Sequence, residues 1–143
     1  MNNQQFCTFF LDRLFFGVPV EKVQEIIRYQ YMTRVPLAPT EVGGLINLRG
    51  QIVTAIELRQ RLELPPRPRE QDPLNVVVCT RDETVSLLVD EIGDVLEVTE
   101  DLFERPPDTL TGKVRELIRG AYKLQDSLLL ILDVEKVVNV SIF

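Results

Sequence analysis

The residue types that this chain lacks narrow its chemistry more than those it has. No histidine occurs among its 143 residues, which removes Ser–His and Cys–His nucleophilic pairs, histidine metal sites and any phosphohistidine relay. Gly112-Lys113 points toward a phosphate loop, yet the glycine needed five residues earlier is Pro107 and the hydroxyl needed next is Val114. Gly43-Gly44 with Gly50 lacks dinucleotide-loop spacing. Asp90, Glu91 and Asp94 are not followed by the twelve-residue calcium-loop pattern. With 22 acidic residues in the chain, carboxylate pairs arise at random, so none marks a hydrolase. Cys7 and Cys79 stand alone in apolar runs and read as small core residues, with no disulfide required and a reducing compartment fitting. The expectation is a protein without catalysis, cofactor or metal.

One polar residue stands out by position. Arg49 sits with Gly50 between two apolar runs, Leu45–Leu48 and Gln51–Leu58, where a tight turn lifts its guanidinium onto a loop tip. The elements around it are mostly strands, because 18 Val, 9 Ile and 9 Thr against only 3 Ala favour a pleated surface. Phe6–Leu11 with Leu14–Val18, Asn75–Thr80 with Thr84–Val89, and Leu117–Leu124 with Ser127–Leu132 read as hairpins, and Ile92–Val98 as a further strand. Pro19–Arg28 reads as a short helix, with Pro19 at its start and Val20, Val23 and Ile27 on one face. A second short helix is expected over Val134–Val140, capped by Asp133. Leu64–Pro73 holds four prolines and reads as an exposed connector that could divide subdomains. Nine or ten short strands with two minor helices point to small barrels.

Charge bears on partners. The net charge is −6, and Asp90–Glu104 holds seven acids and no base. Such a run reads first as a solvated face and second as a surface for a basic partner, whereas nucleic acid demands the opposite sign. The longest uncharged run, Met1–Leu11, has 11 residues and is too short to span a membrane. Its first residues, Met1–Gln5, carry no positive n-region, so a cytoplasmic, unprocessed protein is expected.

Four blocks in order resemble the CheW family of chemotaxis coupling proteins. They are Gly17–Ile27 with Thr33-Arg34-Val35-Pro36; Gly44–Ile52 with Ile56-Glu57-Leu58-Arg59; Leu87–Val95; and Leu130–Val138. The resemblance covers about Phe6 to Val138 and implies a mainly-β fold: two small five-stranded SH3-like barrels packed together as a single CheW-like domain over residues 1–143. It also implies a non-catalytic adaptor that binds chemoreceptor cytoplasmic tips on one surface and the regulatory domain of the chemotaxis histidine kinase on another. That regulatory domain shares the fold, and the two assemble into rings within receptor arrays. The positions matching the family's receptor groove are Val23, Glu25, Gly44, Arg49, Val76, Ile92 and Val95; kinase-facing positions follow from no motif. Ser86 departs from the family by replacing a frequent glycine, and a stand-alone coupling protein is expected.

The residues themselves allow this role. A helical receptor tip needs an apolar groove with a few oriented polar groups; Val23, Ile92 and Val95 can form walls and Arg49 can donate to a carboxylate or to helix-end carbonyls. Val23, Val76 and Ile92 read equally as core, and Glu25 as a helix-surface partner of Lys22 or Arg28. An adaptor in a pilus-motility or other chemosensory pathway is the alternative within the class. A small nucleic-acid-binding barrel is the remote one.

Overall fold

Short apolar runs separated by turn residues give ten strands, and a computed structural model describes them over residues 3–140. The order is β1 (Asn3–Leu11), β2 (Leu14–Pro19), β3 (Val23–Ile27), β4 (Val42–Leu48), β5 (Gln51–Glu57), α1 (Leu58–Arg61), β6 (Leu74–Cys79), β7 (Thr84–Val89), β8 (Glu91–Thr99), α2 (Gly112–Leu117), β9 (Ile118–Lys123), β10 (Leu128–Leu132) and α3 (Val134–Val137). They form two five-stranded sheets, β8-β1-β2-β10-β9 and β3-β6-β7-β5-β4. The three expected hairpins and the Arg49-Gly50 turn are all present.

Each sheet draws strands from both halves of the chain, β1–β5 and β6–β10. β1 and β2 join β8, β9 and β10, whereas β6 and β7 join β3, β4 and β5. In both sheets the second strand of one half's first hairpin pairs in parallel with the last strand of the other half, β2 with β10 and β7 with β5. In both, the segment after an edge strand returns to bridge the opposite edge, Thr33 to Leu45 and Glu104 to Ala121. The sheets therefore curl toward barrels without a continuous closing ladder. The proline-rich Leu64–Pro73 does not divide them, because β5 before it and β6 after it lie in one sheet.

Three apolar clusters hold this arrangement. Ile46, Leu48, Val53, Ala55, Val77 and Leu88 fill the inside of the second sheet. Phe6, Tyr122, Leu129 and Ile131 fill the inside of the first. The largest cluster lies between the sheets and takes Phe9, Leu11 and Phe16 from one and Ile56, Val76, Val78, Leu87 and Val89 from the other. Strand alternation thus sends Val76 and Val78 to the seam and Val77 inward, which is why β6, β7 and β10 are apolar at nearly every position. Leu88, which breaks the alternation expected of a strand with one wet face, fills the sheet interior. Leu87→Ala should cost about 2–5 kcal/mol, read by urea unfolding; a loss below about 1 kcal/mol would show the seam is loosely packed.

The internal helix expected over Pro19–Arg28 does not form. Val20–Lys22 is one 3-10 turn, and Val23–Ile27 is β3, paired with β6 through Val23↔Val78 and Ile26↔Val76. Branched Val23, Ile26 and Ile27 fit a ladder whose partner strand is supplied by tertiary structure, and this outweighs their helical spacing. Short helices occur instead at α1, α2 and α3. Only the C-terminal one was legible, and it stops at Val137, with the Asp133 carboxylate accepting from the Lys136 N–H at 3.2 Å.

Between β7 and β8 stands one residue, Asp90, where the chain crosses from sheet to sheet. Its Oδ1 accepts from Arg59 Nε at 3.1 Å and Arg67 Nε at 2.9 Å. Its Oδ2 accepts from Arg59 Nη2 at 2.5 Å and the Asp12 amide at 2.8 Å. Arg67 also forks onto Glu57, at 2.8 and 3.0 Å, so two cations meet two anions. Burial pushes the Asp90 carboxyl up, but the hydrogen bonds from Arg59, Asp12 and Arg67 outweigh it and hold its pKa below the usual value. A folded-state pKa below the unfolded one stabilises the protein above the unfolded value, about 3.9, and that contribution disappears as pH falls through the folded value. Asp90→Ala should therefore destabilise by about 3–5 kcal/mol at neutral pH by stranding Arg59. Asp90→Asn should flatten the loss of stability below about pH 4, and an unchanged acid profile would remove Asp90 from that role.

Candidate functional site

The Arg49 turn is built by its neighbours. Arg49 and Gly50 have φ of 51° and 89° between the paired Leu48 and Gln51, the geometry of a type I′ hairpin turn, whose twist matches its strands. Asn47 Oδ1 accepts the Gly50 N–H at 2.8 Å, which gives the asparagine of this Asn-Leu-Arg-Gly block a local purpose. The Arg49 side chain is 70% exposed. Its guanidinium forks onto Glu25 of β3, Nη1 to Oε1 at 3.2 Å and Nη2 to Oε2. The hydrogen bond from Arg49 lowers the Glu25 pKa and raises that of Arg49. Glu25 thus pairs with Arg49 across the sheet rather than with Lys22 or Arg28.

This pair spans the gap between the two edge strands of the second sheet. Beside it, Thr33 and Leu45 exchange backbone hydrogen bonds of 2.9 and 2.8 Å. Gly44 makes that approach possible: its φ is 154°, and a Cβ would lie 2.8 Å from the Thr33 carbonyl oxygen. Glu25, Gly44 and Arg49 are therefore brought together as one edge-closing group.

The remaining candidates fall in different places. Val76 is 1% exposed, in the seam, and supports β3 from behind. Val23 and Ile92 are half-buried and rest on the same seam cluster from different sheets. Val95 is 58% exposed on β8, an edge of the first sheet. Apart from Arg49 on the β4–β5 turn, the accessible candidates thus lie on two edge strands, β3 and β8, on either side of the seam.

Around them β8 and the turn after it expose Glu91, Asp94, Glu97, Glu100, Asp101 and Glu104. Asp90, counted with this acidic run in sequence, is instead buried and paired. The sequence also concealed how Ser86 is accommodated. Its buried hydroxyl donates to Asn75 Oδ1 at 2.7 Å, and Asn75 Nδ2 donates to the Arg28 carbonyl at 3.1 Å. The signal was Asn75, a polar residue at the head of an apolar strand. Leu37, fully exposed with φ of 65°, and Tyr31 are further exposed apolar groups of the β3–β4 connection, placed there by Pro36 and Pro39. Among the described residues, no group of acidic or cysteine side chains is disposed to hold a metal.

Residues 5–141 match the family model of the CheW-like domain. The chain belongs to the CheW-like family. It is 30% identical over 142 residues to the chemotaxis protein CheW of Treponema pallidum, covering 95% of this chain and 84% of that protein. It is 32% identical to the Bacillus subtilis chemotaxis protein CheW, covering 87% and 80%. The crystal structure of the scaffolding protein TtCheW from Thermoanaerobacter tengcongensis superposes with a TM-score of 0.87, at 25% identity, over 98% of this chain and 95% of that one. The two five-stranded sheets and their crossing are thus the architecture of a CheW scaffold, as the four sequence blocks implied.

Two substitutions separate the parts of the edge-closing group. Arg49→Ala removes a solvent-screened pair and should shift Tm by less than about 2 °C. Gly44→Ala forces the bridge apart and should cost about 1–3 kcal/mol. Thermal unfolding reads both, and equal losses would show that Arg49 is structural.

Proposed function

We propose that this chain is a non-catalytic chemotaxis adaptor, acting in the cytoplasm, that couples chemoreceptor cytoplasmic tips to the chemotaxis histidine kinase. The observation that carries the reading is Arg49, lifted on a rigid turn, held in one orientation by Glu25 and still largely open to water. An oriented guanidinium can donate to a carboxylate or to the last carbonyls of a helix in fixed geometry. The half-buried Val23 and Ile92 and the exposed Val95 supply apolar wall for a helical tip. Gly44 and Val76 serve this surface from behind, one by closing the edge and the other by carrying β3. The family match supports the adaptor role, and the kinase regulatory domain is the second partner.

Binding of purified protein to a receptor cytoplasmic fragment and to the kinase regulatory domain tests the reading. Both should bind at micromolar protein. Arg49→Ala should weaken the receptor fragment by about tenfold or more, the worth of one charge-assisted fork, and leave the kinase domain unaffected. Equal weakening of both partners, or of neither, would refute the assignment of Arg49 to the receptor surface.

A further inference from the structure

The two sheets meet across an apolar seam, and apolar contact has no preferred direction. Directional contacts between the sheets occur in two places: Arg61 of α1 donates to the Lys136 and Val137 carbonyls of α3 at 2.8 and 3.0 Å, and a denser set gathers at Asp90. Its amide donates to the Phe10 carbonyl at 3.1 Å, and its carboxylate accepts the Asp12 amide, so its backbone and its side chain are both tied to the end of β1 and the turn after it in the first sheet. Arg59, from α1 beside β5, ties it to the second sheet. The last donor, Arg67, comes from the Leu64–Pro73 strap, which pairs with neither sheet. The Arg67 side chain is buried, and among the described residues it alone joins Asp90 to Glu57 at the end of β5.

We infer that Arg67 is a positioning residue for the partner-binding groove. Through it the strap locks the β7–β8 crossing and sets the angle between the edges β3 and β8. The groove's role rests on the function proposed above; the lock does not. Without Arg67, Asp90 keeps Arg59 and the Asp12 amide, and Glu57 is near enough to water to be solvated. No strand loses a ladder bond, so the sheets stay folded while the crossing loosens. Val23 and Val95, on opposite sides of the seam, then no longer hold one spacing.

The test measures that spacing directly. Spin labels at Ile52 and Glu97, both exposed and one on each sheet, are introduced in a Cys7→Ala, Cys79→Ala background. Arg67→Ala should widen or shift the distance distribution, Arg67→Lys should restore it in part, and Arg69→Ala, on the exposed strap, should leave it unchanged. Binding of the receptor fragment should weaken about tenfold in Arg67→Ala, within the usual range for coupling at a distance. A distance distribution in Arg67→Ala identical to wild type overturns the inference. If Arg67→Ala does not fold, Glu57→Gln, which loosens Arg67 and leaves all four donors on Asp90, carries the same measurement and the same expected widening. If wild-type protein binds no receptor fragment, the proposed function falls, while the label distances still decide whether Arg67 sets the angle.

Discussion

A carboxylate offers about four acceptor positions, and in Asp90 all four are taken by the protein's own donors. Burying an anion beneath two sheets is tolerable only on those terms, since a missing donor would leave charge stranded in a medium that cannot solvate it. The requirement propagates outward. Arg59 must emerge from α1, the Asp12 amide must present itself from the β1–β2 turn, where Asp12 has φ of 56°, and the strap must fold back to deliver Arg67. One side chain thus dictates the placement of a helix, a turn and a loop that share no strand. The same point carries the chain between sheets, so fold and connectivity are fixed together.

The sequence was informative where a residue's fate depends on its neighbours in the chain. Asp12-Arg13, Arg49-Gly50 and Gln125-Asp126 made hairpins because turn chemistry is local, and Asp133 capped α3 for the same reason. Val23–Ile27 misled because helical spacing and strand composition coexist there, and the deciding ladder comes from β6, some fifty residues away. Asp90 misled for a related reason. In one dimension it belongs to an acidic run, and only three-dimensional packing sets it against two arginines. Of the candidate site, Arg49 was read correctly as an exposed group on a loop tip, and Val95, read as apolar wall, is exposed on β8. Val76 and Gly44 turned out to do their work beneath the surface, a distinction that alternation cannot make when both faces of a strand are covered.

The blocks that carry the family resemblance acquire physical content from this. Ile56-Glu57-Leu58-Arg59 and Leu87–Val95 contain three members of the Asp90 cluster, Glu57, Arg59 and Asp90. Asn47-Leu48-Arg49-Gly50 is a hydrogen-bonded turn. What reads in sequence as a family signature is, in large part, the chemistry that joins two sheets and closes their edges.

The bridge beside Gly44 has a counterpart. Gly120 precedes Ala121 as Gly44 precedes Leu45, and a Cβ on Gly120 would collide with the Glu104 carbonyl oxygen and the Phe103 ring. Each half of the chain, one ending at α1 and the other beginning at β6, therefore follows a single plan: a hairpin, a strand sent to the other sheet, a bridging segment, then a hairpin at the opposite edge of that sheet. Neither half completes a sheet alone, because each gives two strands to one and three to the other. In assembly terms the molecule is a strand-swapped dimer whose two protomers share one covalent chain, joined by the proline strap. Its stability is accordingly free of the concentration dependence that a true dimer would carry.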